Sequence, residues 1–165
     1  MADTSLLDDV DSSSPIGSCL HTWHQLFESG PEALDRVLAD DVVLHSPVLF
    51  APVAGKEIVT LYLTGAYLTF VEGAATGAPP TSRAGGEWDG SFRYVRVLTG
   101  ERDAVLEFET TMAGKYVNGV DMIRCDDEGM IVDFKVMVRP RQAVESVRES
   151  MAAALESLQS DTAEG

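Results

Sequence analysis

The sequence has few of the features that mark secreted, membrane-bound or metal-binding proteins. Its 165 residues include only two cysteines, Cys19 and Cys125, which are too far apart to predict a disulfide framework or a zinc site. We interpret both as buried free thiols. No run reaches the roughly 18 apolar residues that a membrane helix requires. The first residues are acidic, whereas a secretory leader begins with basic residues. We therefore expect a cytoplasmic protein that does not enter a membrane.

Basic residues are also scarce, since 12 lysines and arginines stand against 27 acidic residues, for a net charge of −15. Such a field repels polyanions, so we expect no nucleic-acid partner. Neither a GxGxxG nor a P-loop string is present, which argues against a nucleotide cofactor. His21 and His24 share a helix face, but no nearby carboxylate completes a metal site. We expect no cofactor and no metal.

The length favours a single domain with tails. Residues 1–14 are rich in Asp and Ser and are expected to form a disordered acidic tail. The domain is assigned to residues 15–140, followed by a C-terminal helix over 141–159 and a tail over 160–165. The helix carries an apolar stripe that packs on the domain or on a partner. Residues 72–87 have no periodicity and form either a flap over a pocket or a long connection.

Hydrophobic periodicity divides the domain into helices followed by strands. Apolar residues recur every three or four positions over 16–29, 31–38 and 56–71, which predicts three helices, and a short strand is predicted over 41–46. From Trp88 onward the period becomes two, which predicts strands over 92–98, 104–112, 120–125 and 130–139. Successive strands need no helical crossover, so the order is typical of an α+β fold rather than a parallel sheet.

The last strand has the clearest alternation. Its predicted inner face carries Val132, Phe134, Val136 and Val138, because a period of two places all four on one side. The outer face has mixed charge around a methionine, and it consists of Glu107, Glu109, Lys135, Met137 and Arg139. Self-pairing of such a face brings acids of one subunit to bases of the other. We predict a homodimer through this face, the final helix, or both.

The order of elements, with the strings LADDVVLHSP, GKEIVTLYL and VDMIRCDDEGMIVDFKVMVRP, resembles the nuclear transport factor 2-like superfamily over about residues 15–140. Its members include ketosteroid isomerase and SnoaL-like polyketide cyclases. The resemblance implies a cone-shaped, curved antiparallel sheet wrapped around the N-terminal helices, as in cystatin-like α+β barrels. The open mouth of the cone admits a hydrophobic ligand. Residues 141–159 add an extra C-terminal helix to this plan.

Asp121 is the leading candidate for a catalytic residue. It shares parity with Ile123 and Cys125, and a carboxyl group among apolar neighbours is disfavoured as an anion, so its pKa rises. The alternative is an exposed or arginine-paired strand residue. The resemblance implies that Asp121 matches the protonated aspartic acid of ketosteroid isomerase, which donates a hydrogen bond to an enolate oxygen.

The catalytic base is not evident. The resemblance places Ser46 where the isomerase has its basic aspartate, and a serine needs activation to act as a base. His45 is the alternative catalytic base because histidine titrates near neutral pH, although only one of these neighbours faces the cone. The predicted ligand-binding residues have polar tips or line the inner face, and they are Trp23, Ser46, Tyr62, Trp88, Tyr116 and Val138.

These residues predict binding of a small hydrophobic oxygenated molecule of steroid, polyketide or terpenoid type. The chemistry would be cofactor-free isomerisation, dehydration, cyclisation or epoxide opening. The alternative is a non-catalytic ligand-binding or protein-interaction module of the same fold. Paired titratable groups inside the cone favour the enzyme, whereas a cone filled by side chains with an apolar patch outside favours the interaction module.

Overall fold

The computed structural model describes residues 2–73 and 88–163. The α-helices in these ranges are α1 (Pro15–Ser29), α2 (Leu34–Val37), α3 (Lys56–Tyr67), which a π-helical turn continues over Leu68–Glu72, and α4 (Arg141–Ala163). Short 3-10 helices span Ser5–Leu7 and Pro31–Ala33. The strands are β1 (Leu38–His45), β2 (Val53–Ala54), β3 (Arg93–Thr99), β4 (Asp103–Met112), β5 (Lys115–Cys125) and β6 (Ile131–Arg139). The loop predicted over 72–87 falls, from residue 74 onward, outside the described residues. No described helix combines the length and hydropathy of a bilayer span.

The strands form one sheet in the order β2-β1-β6-β5-β4-β3. Strands β3 to β6 are a continuous antiparallel meander, as predicted. The sheet is antiparallel except at one place, where β1 runs parallel to β6. No hairpin joins these two strands, so connectivity does not force them to be antiparallel. The fold is therefore α+β with a mostly antiparallel sheet.

Helix α1 fills the concave side of the sheet. The Ser14 side chain caps its first turn by accepting a hydrogen bond from the Gly17 N–H at 3.1 Å, and the helix ends at Gly30, whose φ of 89° favours glycine. Its apolar face is buried, and the Trp23 ring lies 5.0 Å from that of Phe134 on β6. The core therefore lies between α1 and the inner face of the sheet.

Strand β6 follows the predicted alternation over part of its length. Phe134 and Val136 are buried as predicted, whereas Val132 and Val138 are only half-buried. Val138 still packs against the core, at the end of the strand. The prediction that all four residues are buried is thus wrong for Val132 and Val138.

A bulge explains the error at Val132. Asp133 pairs with Arg124 and Ile131 pairs with Cys125, so Val132 has no partner in the β5–β6 ladder. An extra residue in one strand shifts its alternation. Ile131 consequently takes the buried position that the pattern assigned to Val132.

The N-terminal segment packs against the domain instead of forming the disordered tail expected over residues 1–14. The Asp3 N–H donates to the Phe92 carbonyl at 2.9 Å, and the Tyr94 N–H donates to the Asp3 carbonyl at 3.0 Å. Leu7 is buried in the core. The segment thereby covers part of the free edge of β3, where unpaired backbone groups would otherwise remain.

Helix α4 packs on its own domain through the apolar stripe. Val147 and Met151 are buried, while Val144, Leu155 and Leu158 are half-buried. The helix continues to Ala163, beyond the end predicted at residue 159.

Truncating Phe134 tests the assignment of the inner face. Its side chain is fully buried against α1, so we expect Phe134→Ala to lower the free energy of unfolding by about 3–5 kcal/mol. Leu98→Ala is the control, because Leu98 on β3 is 57% exposed, and it should change the value by less than about 0.5 kcal/mol. Urea titration measures both variants. Equal losses would show that the burial assignment is wrong.

Candidate functional site

A small apolar cavity lies between α1, the π-helical turn and the inner face of the sheet. We call this cavity the first chamber, and its volume is about 40 Å³. The lining is mainly aromatic and aliphatic, and its residues include Trp23, Phe27, Tyr67, Phe70, Phe92, Tyr94, Phe108, Asp121 and Phe134. Among the described lining residues, Asp121 alone carries a carboxyl group. The position of Asp121 within an apolar interior, predicted from its parity, is confirmed.

Three polar side chains form a directed hydrogen-bond chain in this lining. The Trp23 indole N–H donates to the Tyr94 hydroxyl oxygen at 3.0 Å. The Tyr94 hydroxyl in turn donates to Oδ2 of Asp121 at 3.0 Å. Each element contributes one group, since Trp23 lies on α1, Tyr94 on β3 and Asp121 on β5. The hydrogen-bond chain ends at Asp121, so the Trp23 N–H and the Tyr94 O–H each already donate to an acceptor within the protein.

Burial controls the ionisation of this cluster. Desolvation raises the pKa of Asp121 from 3.8 to about 7, against the opposing effect of the Tyr94 hydrogen bond. Desolvation and then the neighbouring Asp121 raise the pKa of Tyr94 well above its ordinary value. A raised Asp121 pKa caused mainly by burial is confirmed. At neutral pH the carboxyl group therefore carries a proton in a large share of molecules and can donate it as a hydrogen bond.

A second, smaller chamber of about 20 Å³ adjoins the first. Ser46 and Tyr62 line it, and it shares Leu63, Phe70 and Val136 with the first chamber. The Ser46 hydroxyl oxygen accepts a weak hydrogen bond from the Val48 N–H at 3.3 Å. Two predicted ligand-binding residues thus lie in the same interior space as Trp23, one chamber away from Asp121.

His45 lies on the opposite face of the sheet and is wrong as a partner base for Asp121. Its neighbour Leu44 is buried and pairs with Phe134, so the alternation turns His45 outward. There Nε2 of His45 lies 3.0 Å from Oδ2 of Asp133, with the histidine side chain 35% exposed. An imidazole on the outer face has no path to the chamber.

Trp88 and Tyr116 also lie outside the chambers. The Trp88 indole donates to the Ser91 carbonyl at 2.8 Å, and the Tyr116 hydroxyl donates to Oε1 of Glu109 at 2.7 Å. Arg93 binds the other oxygen of Glu109 at 3.0 Å and lies 4.9 Å above the Trp88 ring. These residues form a charged aromatic cluster on the outer face. Val138 likewise packs on the core without lining either chamber.

The same cluster corrects the predicted outer surface. Glu109 is fully buried, and its carboxylate contacts Arg93 and Tyr116. It is therefore not available to meet the basic residues of another subunit. The buried charge is compensated by hydrogen bonds within its own chain, as burial of an ion requires.

Comparison with known proteins places this arrangement in a family. The chain is 32% identical to a steroid delta-isomerase from Pseudomonas aeruginosa, with a TM-score of 0.73, over 88% of this chain and 95% of that one. The chain belongs to the nuclear transport factor 2-like superfamily. No protein-family model and no curated protein matches it.

Two further solved structures share the nuclear transport factor 2-like fold. A protein with a cystatin-like fold from Silicibacter pomeroyi DSS-3 is 26% identical, with a TM-score of 0.63, over 80% of this chain and 83% of that one. A nuclear transport factor 2-like protein of unknown function from Cytophaga hutchinsonii ATCC 33406 is 16% identical, with a TM-score of 0.51, over 79% and 94% of the two chains. At 16% identity the likeness concerns the fold alone.

Tyr94 is the functional candidate that the predicted site omitted. It shares parity with Phe92 on the strand that follows the 74–87 segment, which marks an inward face. Its contact with Asp121 depends on two registers, Tyr94 with Phe108 and Leu106 with Asp121. Periodicity predicts faces but gives no register, so the pair was not predictable.

Among the described residues no group of three potential ligands forms a metal site in this family member.

The pKa of Asp121 predicts how stability depends on pH. Burial raises it to about 7 in the folded protein, whereas an unfolded aspartate titrates near 3.9. Between these values the folded state holds a proton that the unfolded state has released. The contribution of Asp121 to the free energy of unfolding should therefore fall as pH rises from about 4 to 7, by up to about 4 kcal/mol. Asp121→Asn should lack this component.

Urea titrations of wild type and Asp121→Asn across this pH range measure the difference directly. The free energy of unfolding of the wild type minus that of Asp121→Asn should be greatest at the acidic end of the range and should decrease toward neutral pH. Asp41→Asn is the matched control, because Asp41 is exposed on β1, and its difference from the wild type should stay flat. A difference for Asp121→Asn that rises with pH would mean that the folded protein holds the carboxylate.

Proposed function

We propose that this protein binds a small, apolar, ring-bearing ketone in the interior of the cone, where Asp121 donates a hydrogen bond to the carbonyl oxygen. The reaction is a cofactor-free isomerisation through the enol. The observation that carries the proposal is the buried carboxyl group at the end of the hydrogen-bond chain from Trp23 through Tyr94, whose pKa burial raises to about 7. A donor in a dry site stabilises negative charge that develops on oxygen.

The substrate class draws support from two sources. The lining is aromatic and aliphatic with a single carboxyl group, which suits an apolar body with one fixed oxygen. A protein that is 32% identical over most of its length is a steroid delta-isomerase. We infer a ketone of fused rings, in which a double bond moves relative to the carbonyl group.

The roles follow from the positions of the groups. Asp121 protonates or hydrogen-bonds to the ketone oxygen, and this makes the hydrogen on the adjacent carbon more acidic. Tyr94 and Trp23 position the carboxyl group without touching the ligand oxygen. Water accepts the carbon-bound proton, because His45 is on the outer face and no activating base contacts Ser46 among the described residues. The same water returns the proton to the carbon at the far end of the enol double-bond system. The oxygen then returns its proton to Asp121, so the isomerisation involves no net gain or loss of protons.

Ligand entry requires movement of the lining. Ligand pockets commonly measure roughly 300–1,000 Å³, whereas the first chamber holds about 40 Å³. The rings of Phe27, Tyr67 and Phe70 line this small chamber together with Asp121. The described interior is therefore mostly filled by side chains, which is the observation that favours the non-catalytic module. A ring-bearing ligand must displace some of these side chains to reach the carboxyl group.

Exchange of α-hydrogens of decalone, a two-ring ketone, in deuterated water measures enol formation by proton NMR. The protein should accelerate this exchange, and Asp121→Asn should lower the catalysed rate at least about tenfold. The rate should fall as pH rises through about 7, because the donor form of Asp121 is lost. Tyr94→Phe should move that midpoint upward, since the Tyr94 hydrogen bond lowers the pKa of Asp121.

His45→Ala is the control and should leave the exchange rate unchanged, because His45 faces the outer surface. A rate that rises through neutral pH would reveal a carboxylate base instead of a hydrogen-bond donor. An absence of exchange above the solvent rate would reject the enzymatic function and favour the non-catalytic module.

We also propose a homodimer through the outer sheet face. Met122 and Met137 are 37% and 51% exposed there, on the neighbouring strands β5 and β6. Lys135 lies beside them, opposite Met122 in the ladder. An exposed apolar patch with flanking charge suits self-complementary pairing across a two-fold axis.

Light scattering at micromolar concentration tests the dimer. The expected mass is twice that of the 17.8 kDa chain. Met137→Glu should shift the protein toward the single chain, because two added carboxylates would meet near the axis. A wild-type mass near 17.8 kDa would reject the dimer.

A further inference from the structure

Helix α4 forms part of the wall of the second chamber. Val147 and Met151 line it together with Ser46 and Tyr62. The π-helical turn places Phe70 between the two chambers, since Phe70 lines both. The interior is thus a two-part space with Asp121 in one part and α4 as a wall of the other.

Met151 is seated by a specific feature of α3. A Cβ atom on Gly65 would lie 3.3 Å from the terminal methyl carbon of Met151, closer than ordinary contact. Glycine inside a helix costs about 1 kcal/mol relative to alanine, and here its absent side chain admits Met151. The Thr69 hydroxyl also donates to Sδ of Met151 at 3.7 Å. The methionine therefore occupies a position shaped to receive it.

The contacts of α4 with the domain are mainly apolar. Ala143, Val147 and Met151 are its buried residues. Among the described residues, the recorded ion pair of α4 joins Arg141 to Glu145 within the helix itself. An apolar contact tolerates a changed side chain more readily than a buried ion pair does. This wall can be reshaped without removing a charged anchor.

We propose that α4 sets the length of the ligand space, with Met151 and Val147 as the residues that determine how many rings the protein accepts. The inference rests on the proposed ketone site at Asp121. The Met151 side chain fills the place that the far end of a longer ligand would need. The native chain then prefers compact two-ring ketones, and shortening Met151 extends its range to four fused rings.

Dissociation constants for decalone and for androstanone, a four-ring ketone, test this by calorimetry. Met151→Ala should strengthen androstanone binding by about tenfold, on the scale of a few methylene groups in an apolar pocket, and change decalone binding less than about twofold. Val147→Ala should act in the same direction and serves if Met151→Ala is poorly folded. Leu155→Ala is the matched control, because Leu155 is a half-buried α4 residue, one turn beyond Met151, that does not line the chamber.

The outcomes separate this inference from the proposed function. One outcome would overturn the role of α4 alone. In that outcome Asp121→Asn weakens decalone binding, but all three α4 variants bind androstanone as the wild type does. An absence of decalone binding to the wild type would overturn the ketone site and the inference built on it. Stronger androstanone binding in the Met151 or Val147 variant, but not in Leu155→Ala, supports the proposal.

Discussion

The burial of one carboxyl group is the constraint on which the rest of the site depends. Asp121 lies among aromatic rings with a single hydrogen-bonding side chain, Tyr94, among the described residues. Desolvation favours its protonated form, which turns an acidic side chain into a donor at neutral pH. The hydrogen-bond chain from Trp23 is directed so that only the proton of Asp121 remains for a ligand.

This arrangement needs three elements in fixed register. Leu106 pairs with Asp121, and Phe108 pairs with Tyr94, so β3, β4 and β5 must align before the two polar groups can meet. A slip of one residue would turn Asp121 to the outer face. Helix α1 must then pack against the sheet to bring Trp23 to the Tyr94 hydroxyl. The stability of the fold and the ionisation of the site are thus coupled.

The sequence pattern predicted the main helices and strands, the α+β class and the inward position of Asp121, because each depends on local periodicity, but it did not predict the short strand β2. It did not predict the bulge at Val132 or the pairing of Tyr94 with Asp121, which depend on register. Trp88 and Tyr116 were assigned to ligand binding on residue type alone, yet they contact Arg93 and Glu109 on the outer face. His45 was assigned as a base, although its alternation with Leu44 already separates it from the buried face.

The central claim is that Asp121 is protonated in the folded protein up to neutral pH. Carbon NMR of labelled aspartate carboxyl groups, assigned by comparison with Asp121→Asn, follows its titration directly. The account predicts a midpoint near the value of about 7 that burial gives Asp121. A midpoint at or below about 4, as in an ordinary aspartate, would contradict it.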